Sequence, residues 1–498
     1  MPAAADAPAA VANAQPSQDP AETGASIAVL PFVNMSPDEG NTYFADGISE
    51  ELLNVLVRVP GLGVASRTSS FGYKGSELGT VAIAQALKVN HVLEGSVRKS
   101  GNRVRITAQL IDAVHDRHLW SATYDRELTD IFAIQEEIAN AIVGALHDQL
   151  GATSSATAVT VRADTENLEA YQVYLKAREL FIARRDLPES IRLFEQVTQM
   201  DPNFARGWEG LAAVYSVAPS WGFSDRDYNA LTRVAAKKAL ELDPTLSMPW
   251  AALGSAVRDS GEADWEQAFE LYARAIKADP HNATAFLWRG ISWVNIGFFD
   301  RAIADADRCL EIDPMYGNCR RWKAVALLYQ GNTDEALRLF AEGVEVGFVT
   351  NRAESFIVPL VKRGDRVGAA MVLRDLGVDP VSVAAILKVI DHPAPVPTSE
   401  VDAMVQRIND DTRPGVLSIG DMSLYLWFGQ FDRMVKDTQA DRAALSYSTP
   451  YWNPAPPGFK NSPAFKALLR DQEIPQYWRK HGFPPICQPV GASDFTCR

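Results

Sequence analysis

Few side chains in this sequence are spaced as a reaction would require. His115 and His118, with Asp112 and Asp116 beside them, are donor types that hold a divalent metal. They fall in a predicted turn between two strands, where polar residues serve the turn itself. Glu136 and Glu137 offer two carboxylates, but neighbouring positions on a helix point to different faces, so the pair is badly placed to divide acid and base work. Gly61, Leu62 and Gly63 follow a predicted helix and precede a strand, the reverse of the order in a dinucleotide-binding loop. The run Ser66-Arg67-Thr68-Ser69-Ser70 carries hydroxyls and a cation that could hold an anion, or that could close a loop with hydrogen bonds. No phosphate-binding loop, kinase signature or nucleophile elbow occurs. The expectation is a non-enzymatic chain with no catalytic residue, no metal site and no cofactor.

Four cysteines remain, Cys309, Cys319, Cys487 and Cys497, in two pairs, each ten residues apart. None forms CxxC, and no histidine completes a zinc-ligand spacing. Two local disulfides suit an oxidising compartment. The other reading makes Cys309 a small core residue on a helix and Cys319 incidental. The charge balance narrows the partners: 48 basic against 62 acidic residues give a net charge of −14, which disfavours direct binding to nucleic acid. No uninterrupted apolar run is long enough to span a membrane, and the best stretch, 416–429, is broken by Asp421.

The elements that would position these residues fall into two regions. From Ser26 to Leu150 the pattern reads β-α-β-α-β-β-β-α, a compact α/β domain with a mixed sheet. A buried strand covers 27–33. A helix is expected from Asp46 as N-cap to Val59, with Glu50 and Glu51 in its first turn, where the helix dipole favours them. Strands follow at 64–66, 91–99, 103–112 and 118–124, with a tight turn at Ser100-Gly101-Asn102 and helices at 81–87 and 131–150.

The segments IAVLPFVNMSPDEGNTYFADGISEELL, SRTSSFGYKG, HVLEGSVRKSGNRVRITAQLIDA and HLWSATYDRELTDIFAIQEEIA resemble the TolB-like N-terminal domain of bacterial signalling proteins, over nearly all of residues 26–150. That resemblance implies tetratricopeptide repeats downstream. It also implies an output module upstream (winged-helix, class III adenylate cyclase or kinase), often followed by a membrane span. No such module is in this sequence. Residues 1–26, rich in Ala and Pro without Lys or Arg, read as a linker or a disordered tail. A linker at Met1 raises the expectation of a missing upstream element.

The second region repeats. Asp-Pro dipeptides end at Pro202, Pro244, Pro280 and Pro314, at spacings of 42, 36 and 34. The tetratricopeptide period is about 34, leaving insertions at 219–227 and near Ala263-Asp264. First-helix signatures (Trp208, Leu211, Tyr215; Trp250, Leu253, Gly254; Phe286, Gly290, Trp293) agree, as do second-helix positions Phe194, Ala268, Ala302, Ala336 and Phe340. The tryptophans Trp208, Trp250, Trp288, Trp293 and Trp322 read mainly as packing between helices. Pro380 lies near two further periods. The expected organisation is a tail at 1–26, the α/β domain at 27–150, repeats at 165–347, degenerate helical repeats at 348–447 and a Pro- and aromatic-rich cap at 448–498, with a helix at 463–469 capped by Ser462. That tail, with Tyr477-Trp478, Gly482-Phe483-Pro484 and its paired cysteines, also resembles those of TolB-like tetratricopeptide proteins.

Stacked first helices line a groove that takes peptides or partner helices. Registering each repeat on its signature places Arg206, Glu209, Arg258, Asn295 and Arg321 there, and the arginines would suit an acidic or carboxylate-ended ligand. The functional expectation is a protein-interaction or sensory module of a bacterial signalling protein, with a protein or peptide partner. Alternatives are the regulatory portion of an adenylate cyclase-type enzyme and an envelope structural protein. Location forks likewise: periplasm-facing if a membrane anchor lies upstream, cytoplasmic if the chain is complete. Oligomeric state is open.

Overall fold

A computed structural model of the chain describes residues 24–147, 150, 159–161, 165–260, 264–345, 353–394, 396–411, 421–440, 452 and 458–498. The first region is a mixed sheet. β1 (Ser26–Val29) lies between β3 (Gly63–Val64) and β4 (His91–Ser100), parallel to both, while β2 (Val33–Asn34) extends along β4 in the same sense. β5 (Arg103–Asp112) and β6 (Arg117–Glu127) add antiparallel, giving the order β3-β1-β4-β5-β6. The alternating pattern sets the faces: Val104, Ile106, Ala108 and Leu110 are buried, while Thr107 meets Thr123 of β6 on the other side, hydroxyl to hydroxyl at 3.1 Å.

Two helices close the buried face. α1 (Thr42–Leu56) contributes Ile48, Leu52 and Leu56, and the helix Ile131–Ala145 contributes Ile131, Ile134, Ile138 and Ile142, all at 0% exposure. Two short helices precede that second one: α2 (Arg67–Phe71) and α3 (Thr80–Leu87), which makes Ile131–Ala145 α4. The start of α1 differs from expectation. Asp38 caps a single 3-10 turn by accepting from the N–H of Gly40, and α1 follows on that turn directly. Asp46 is therefore an interior residue rather than an N-cap. It is buried and ion-paired to Lys74 at 2.5 Å, and burial raises its pKa despite that partner. Glu50 and Glu51 lie mid-helix, away from the first turn.

The second region is built of paired helices: α5 (Leu168–Ile182) with α6 (Leu187–Met200), α7 (Ala205–Val217) with α8 (Tyr228–Leu242), α9 (Met248–Arg258) with α10 (Trp265–Ala278), α11 (Ala283–Asn295) with α12 (Phe299–Ile312), and α13 (Gly317–Gln330) with α14 (Thr333–Glu345). The Asp-Pro period has a direct physical cause. Asp201, Asp243, Asp279 and Asp313 end their helices, and each carboxylate accepts the N–H two residues on, at 2.9, 2.9, 2.8 and 3.2 Å. Close packing between successive pairs depends on small residues: a Cβ on Gly210 of α7 would lie 2.1 Å from the Phe194 ring of α6. The insertion between α7 and α8 forms a 3-10 turn, Ala218–Trp221. Of the insertion near Ala263-Asp264, Asp264 caps α10 by accepting from Gln267, and Ala263 lies outside the described residues.

The alternation continues through α15 (Ile357–Lys362), α16 (Arg366–Asp375), α17 (Pro380–Asp391), α18 (Thr398–Asp411), α19 (Asp421–Trp427) and α20 (Phe431–Ala440). Pro380 does not repeat the earlier boundary role: Asp379 caps α17 by accepting from Val381 and Ser382, and Pro380 is its first residue. The chain ends in α21 (Pro463–Asp471), capped by Ser462, then α22 (Ile474–His481) and a hairpin of β7 (Cys487–Val490) with β8 (Asp494–Cys497). No described helix is long and apolar enough to cross a membrane.

Candidate interaction surface on the helical repeats

The first helices of successive pairs pack on one another, α7 on α9, α9 on α11 and α11 on α13. That puts them on the inner, shorter side of the superhelix. The five groove residues expected there sit on the first helices of four successive pairs, and their surroundings differ. Glu209 on α7 and Arg321 on α13 are half-buried. Arg258 and Asn295 do not face an open groove: they are the last residues of α9 and α11, exposed by 4% and 2%. The Arg258 guanidinium is held by the neighbouring Asp259 at 2.5 and 2.9 Å. At Asn295 the main-chain carbonyl accepts the Trp452 indole N–H at 3.1 Å, because the carboxy-terminal segment folds back over this turn.

Arg206 faces the chain's own α/β domain. Its Nη1 donates to both oxygens of Glu51, at 2.9 and 2.7 Å, and its guanidinium lies over the Tyr174 ring at 5.2 Å. Arg178 on α5, which sequence reasoning passed over, donates to Glu50 at 2.8 Å, to Glu51 at 3.2 Å and to the Tyr174 hydroxyl at 3.1 Å. Arg67 of α2 completes the cluster at 3.1 Å from Glu50. Both glutamates are 5% exposed. Burial works against the Arg178 charge, yet the Glu50, Tyr174 and Glu51 side chains together raise its pKa above the ordinary arginine range. Burial likewise raises that of Tyr174. The signal in the sequence is two adjacent carboxylates in the middle of α1, beside its apolar positions Ile48, Leu52 and Leu56.

Further contacts seat the α/β domain along the solenoid. The Ser66 hydroxyl, N-cap of α2, donates to Asp313 at 2.8 Å at the far end of α12. Gln135 of α4 donates to the Tyr171 hydroxyl at 3.3 Å, and Phe132 packs on the Tyr171 ring at 4.9 Å between centroids. The Ser66–Ser70 run thus serves a helix cap and a domain contact.

A second cover lies over the turns of the third and fourth pairs. The Trp478 indole N–H donates to the Ile296 carbonyl at 2.9 Å, and that of Trp265 donates to the Gln472 carbonyl at 2.8 Å. Trp452 is wedged between Phe299 and Phe465, with centroids at 5.6 and 5.5 Å. Disulfides join Cys309 to Cys319, linking α12 to α13, and Cys487 to Cys497, across the first register pair of the terminal hairpin. Among the described residues no group of three His, Cys, Asp or Glu side chains could hold a metal ion. The His115 ring instead binds Asp112 at 2.8 Å within its turn.

The tetratricopeptide repeat family model matches residues 252–317. Over 240 residues the chain is 38% identical to a Rhizobium meliloti (strain 1021) protein named "Putative adenylate cyclase 3", covering 47% of this chain and 40% of that one. It thus spans less than half the length of that relative. Among solved structures, TolB from Acinetobacter baumannii is 18% identical with a TM-score of 0.19, covering 25% of this chain and 29% of TolB. A thermophilic TPR protein of Thermus thermophilus is 20% identical with a TM-score of 0.32, covering 41% of this chain and 99% of that one. The family match and the paired-helix geometry agree: the helical region carries tetratricopeptide repeats, an architecture of protein interaction.

Proposed function

We propose that this chain is a non-enzymatic interaction and sensory module of a bacterial signal-transduction protein. Its solenoid binds a protein or peptide partner along the first-helix face, and the α/β domain takes up the change. The observation that carries this reading is the seat of the α/β domain, which reaches α5 and α7 through Glu50 and Glu51, and Asp313 through Ser66. Anything that alters the pitch between repeats must therefore strain or move that domain. The test places a photo-crosslinking residue at Arg321, on the face beyond the seat, in source cells. A discrete protein adduct is expected. A smear equal to that from the same residue at Ser121, on the open face of the sheet, would sink the reading.

The identity to the Rhizobium protein supports a second reading, the regulatory portion of an adenylate cyclase-type enzyme. Cyclic AMP levels that change when the solenoid of the native protein is deleted would favour it. The two disulfides support a periplasm-facing location. Fractionation that recovers the protein in the cytoplasm with four free thiols would overturn that placement.

A further inference from the structure

α1 presents two chemically distinct sides. Ile48, Leu52 and Leu56 go into the core of its own domain, where the helix packs on β1 and α4, while Gly47 lets the helix lie close against Leu175 of α5. Glu50 and Glu51 turn the other way and bridge Arg178 of the first repeat to Arg206 of the second. With Arg67, three guanidinium groups converge on two carboxylates. Gathering arginines on two successive repeats is costly unless carboxylates meet them, because a buried charge left without its partner is strongly destabilising. The geometry is a receptor for adjacent carboxylates, and α1 is its occupant.

We propose that α1 is a resident ligand in cis, and that the partner admitted to this end of the groove is a protein segment carrying neighbouring carboxylates, which displaces α1 and swings the α/β domain away. This rests on the reading of the solenoid as an interaction module. Tethering gives α1 an effective concentration on the order of millimolar, so the face stays closed to weak acidic ligands and opens to a tighter one. The Phe132–Tyr171 packing at the other end of α5 is the pivot that remains. Displacement frees the Arg206 and Asp313 contacts together, because both are made from the α/β domain, through Glu51 and Ser66.

The test uses the full chain and a fluorescein-labelled synthetic peptide copying residues 42–56. The E50Q/E51Q variant should bind this probe at least about tenfold more tightly than the unaltered chain, since the cis competitor no longer offers charge. Adding R178Q/R206Q to that variant should abolish the gain. Equal titrations for the unaltered and E50Q/E51Q chains would overturn the proposal. Should E50Q/E51Q fail to fold, dyes at Ser121→Cys and Lys237→Cys in the otherwise native sequence give a second readout. Excess peptide should lower energy transfer between them, and a peptide with both glutamates replaced by glutamine should not. No change with the native peptide overturns the proposal. A discrete Arg321 adduct alongside a failed peptide test would leave the interaction module standing and remove the cis ligand alone.

Discussion

At the amino-terminal end of the solenoid the chain covers its first helices with carboxylates. At the turns of the third and fourth pairs it covers them with indoles. The first seam consists of Glu50 and Glu51 against Arg67, Arg178 and Arg206, and the second of Trp452 and Trp478 against α11 and α12. The chemistry differs in what it costs to open. Ion pairs give back hydration when they part, so their net contribution is small against their specificity. Buried rings lose their whole transfer free energy, and each indole here also leaves a main-chain carbonyl. One cover is built for placement and exchange, the other for permanence.

The largest effect should come from the indole seam. Trp478 is fully buried, with Phe483 and Phe495 at 5.5 and 5.4 Å between centroids. Trp478→Ala should cost about 4 kcal/mol, read as a lowered urea midpoint with early proteolysis within 458–498. Next comes Glu51→Ala, which removes the carboxylate that Arg178 and Arg206 share. It should cost about 3 kcal/mol, because charges gathered for a partner are then left buried without it. Glu51 and Trp478 bond to different helices, α5 and α7 for the one and the end of α11 for the other, so the double variant should be additive within about 0.5 kcal/mol. A larger coupling would break the comparison, since it would mean that the covers open as one unit.

How much of this is legible in the sequence depends on how far apart the partners lie. The repeat is legible because its causes are local: each boundary aspartate caps a turn two residues on, and small residues such as Ala268, Ala302 and Ala336 recur at the spacing of the repeat. The turn at Ser100-Gly101-Asn102 is legible for the same reason, joining strands that pair from Ser100 with Arg103 onward. Asp46 reads as an N-cap because an acid before an apolar run is the ordinary signature. Its true partner, Lys74, is 28 residues away. Counting along helices places Arg258 and Asn295 on an open face, and counting cannot show that Trp452 returns over Asn295 from 157 residues downstream. The terminal hairpin leaves only its cysteine pair as a sign.

Asp112 provides a reference outside both seams. It accepts the N–H groups of Val114 and His115 at 3.1 Å each and pairs with the His115 and Arg117 side chains. Burial would raise its pKa, but those donors win and hold it at about 2, against an ordinary 3.8. A carboxyl depressed in the fold contributes stability above its unfolded pKa and loses it as pH falls. Roughly 2 kcal/mol should therefore disappear between about pH 4 and pH 2, and Asp112→Asn should flatten that part of the urea-midpoint profile. Asp46, raised by burial beside the ionic seam, has the opposite sign and favours the fold as acid protonates it. A urea-midpoint profile between about pH 4 and pH 2 that Asp112→Asn leaves unchanged would contradict the Asp112 assignment.

Ser66→Ala is the smallest of the predicted changes and the most informative about how the ionic cover is held. The hydroxyl works twice: it accepts the Ser69 N–H at 3.2 Å to cap α2, and it donates to Asp313 at 2.8 Å. Losing a cap costs about 1 kcal/mol by itself. Asp313 keeps the Met315 N–H at 3.2 Å, so its carboxylate is not orphaned. If the total stays near about 1 kcal/mol, α2 has lost its cap and the domain is held chiefly by Glu50 and Glu51. A loss of about 2 kcal/mol, carried over to Asp313→Asn and absent from Ser69→Ala, would mean that the far contact bears comparable weight. The seat would then be a two-point clamp spanning the first pair of repeat helices to the fourth, and the arginine cluster could not release the domain unaided.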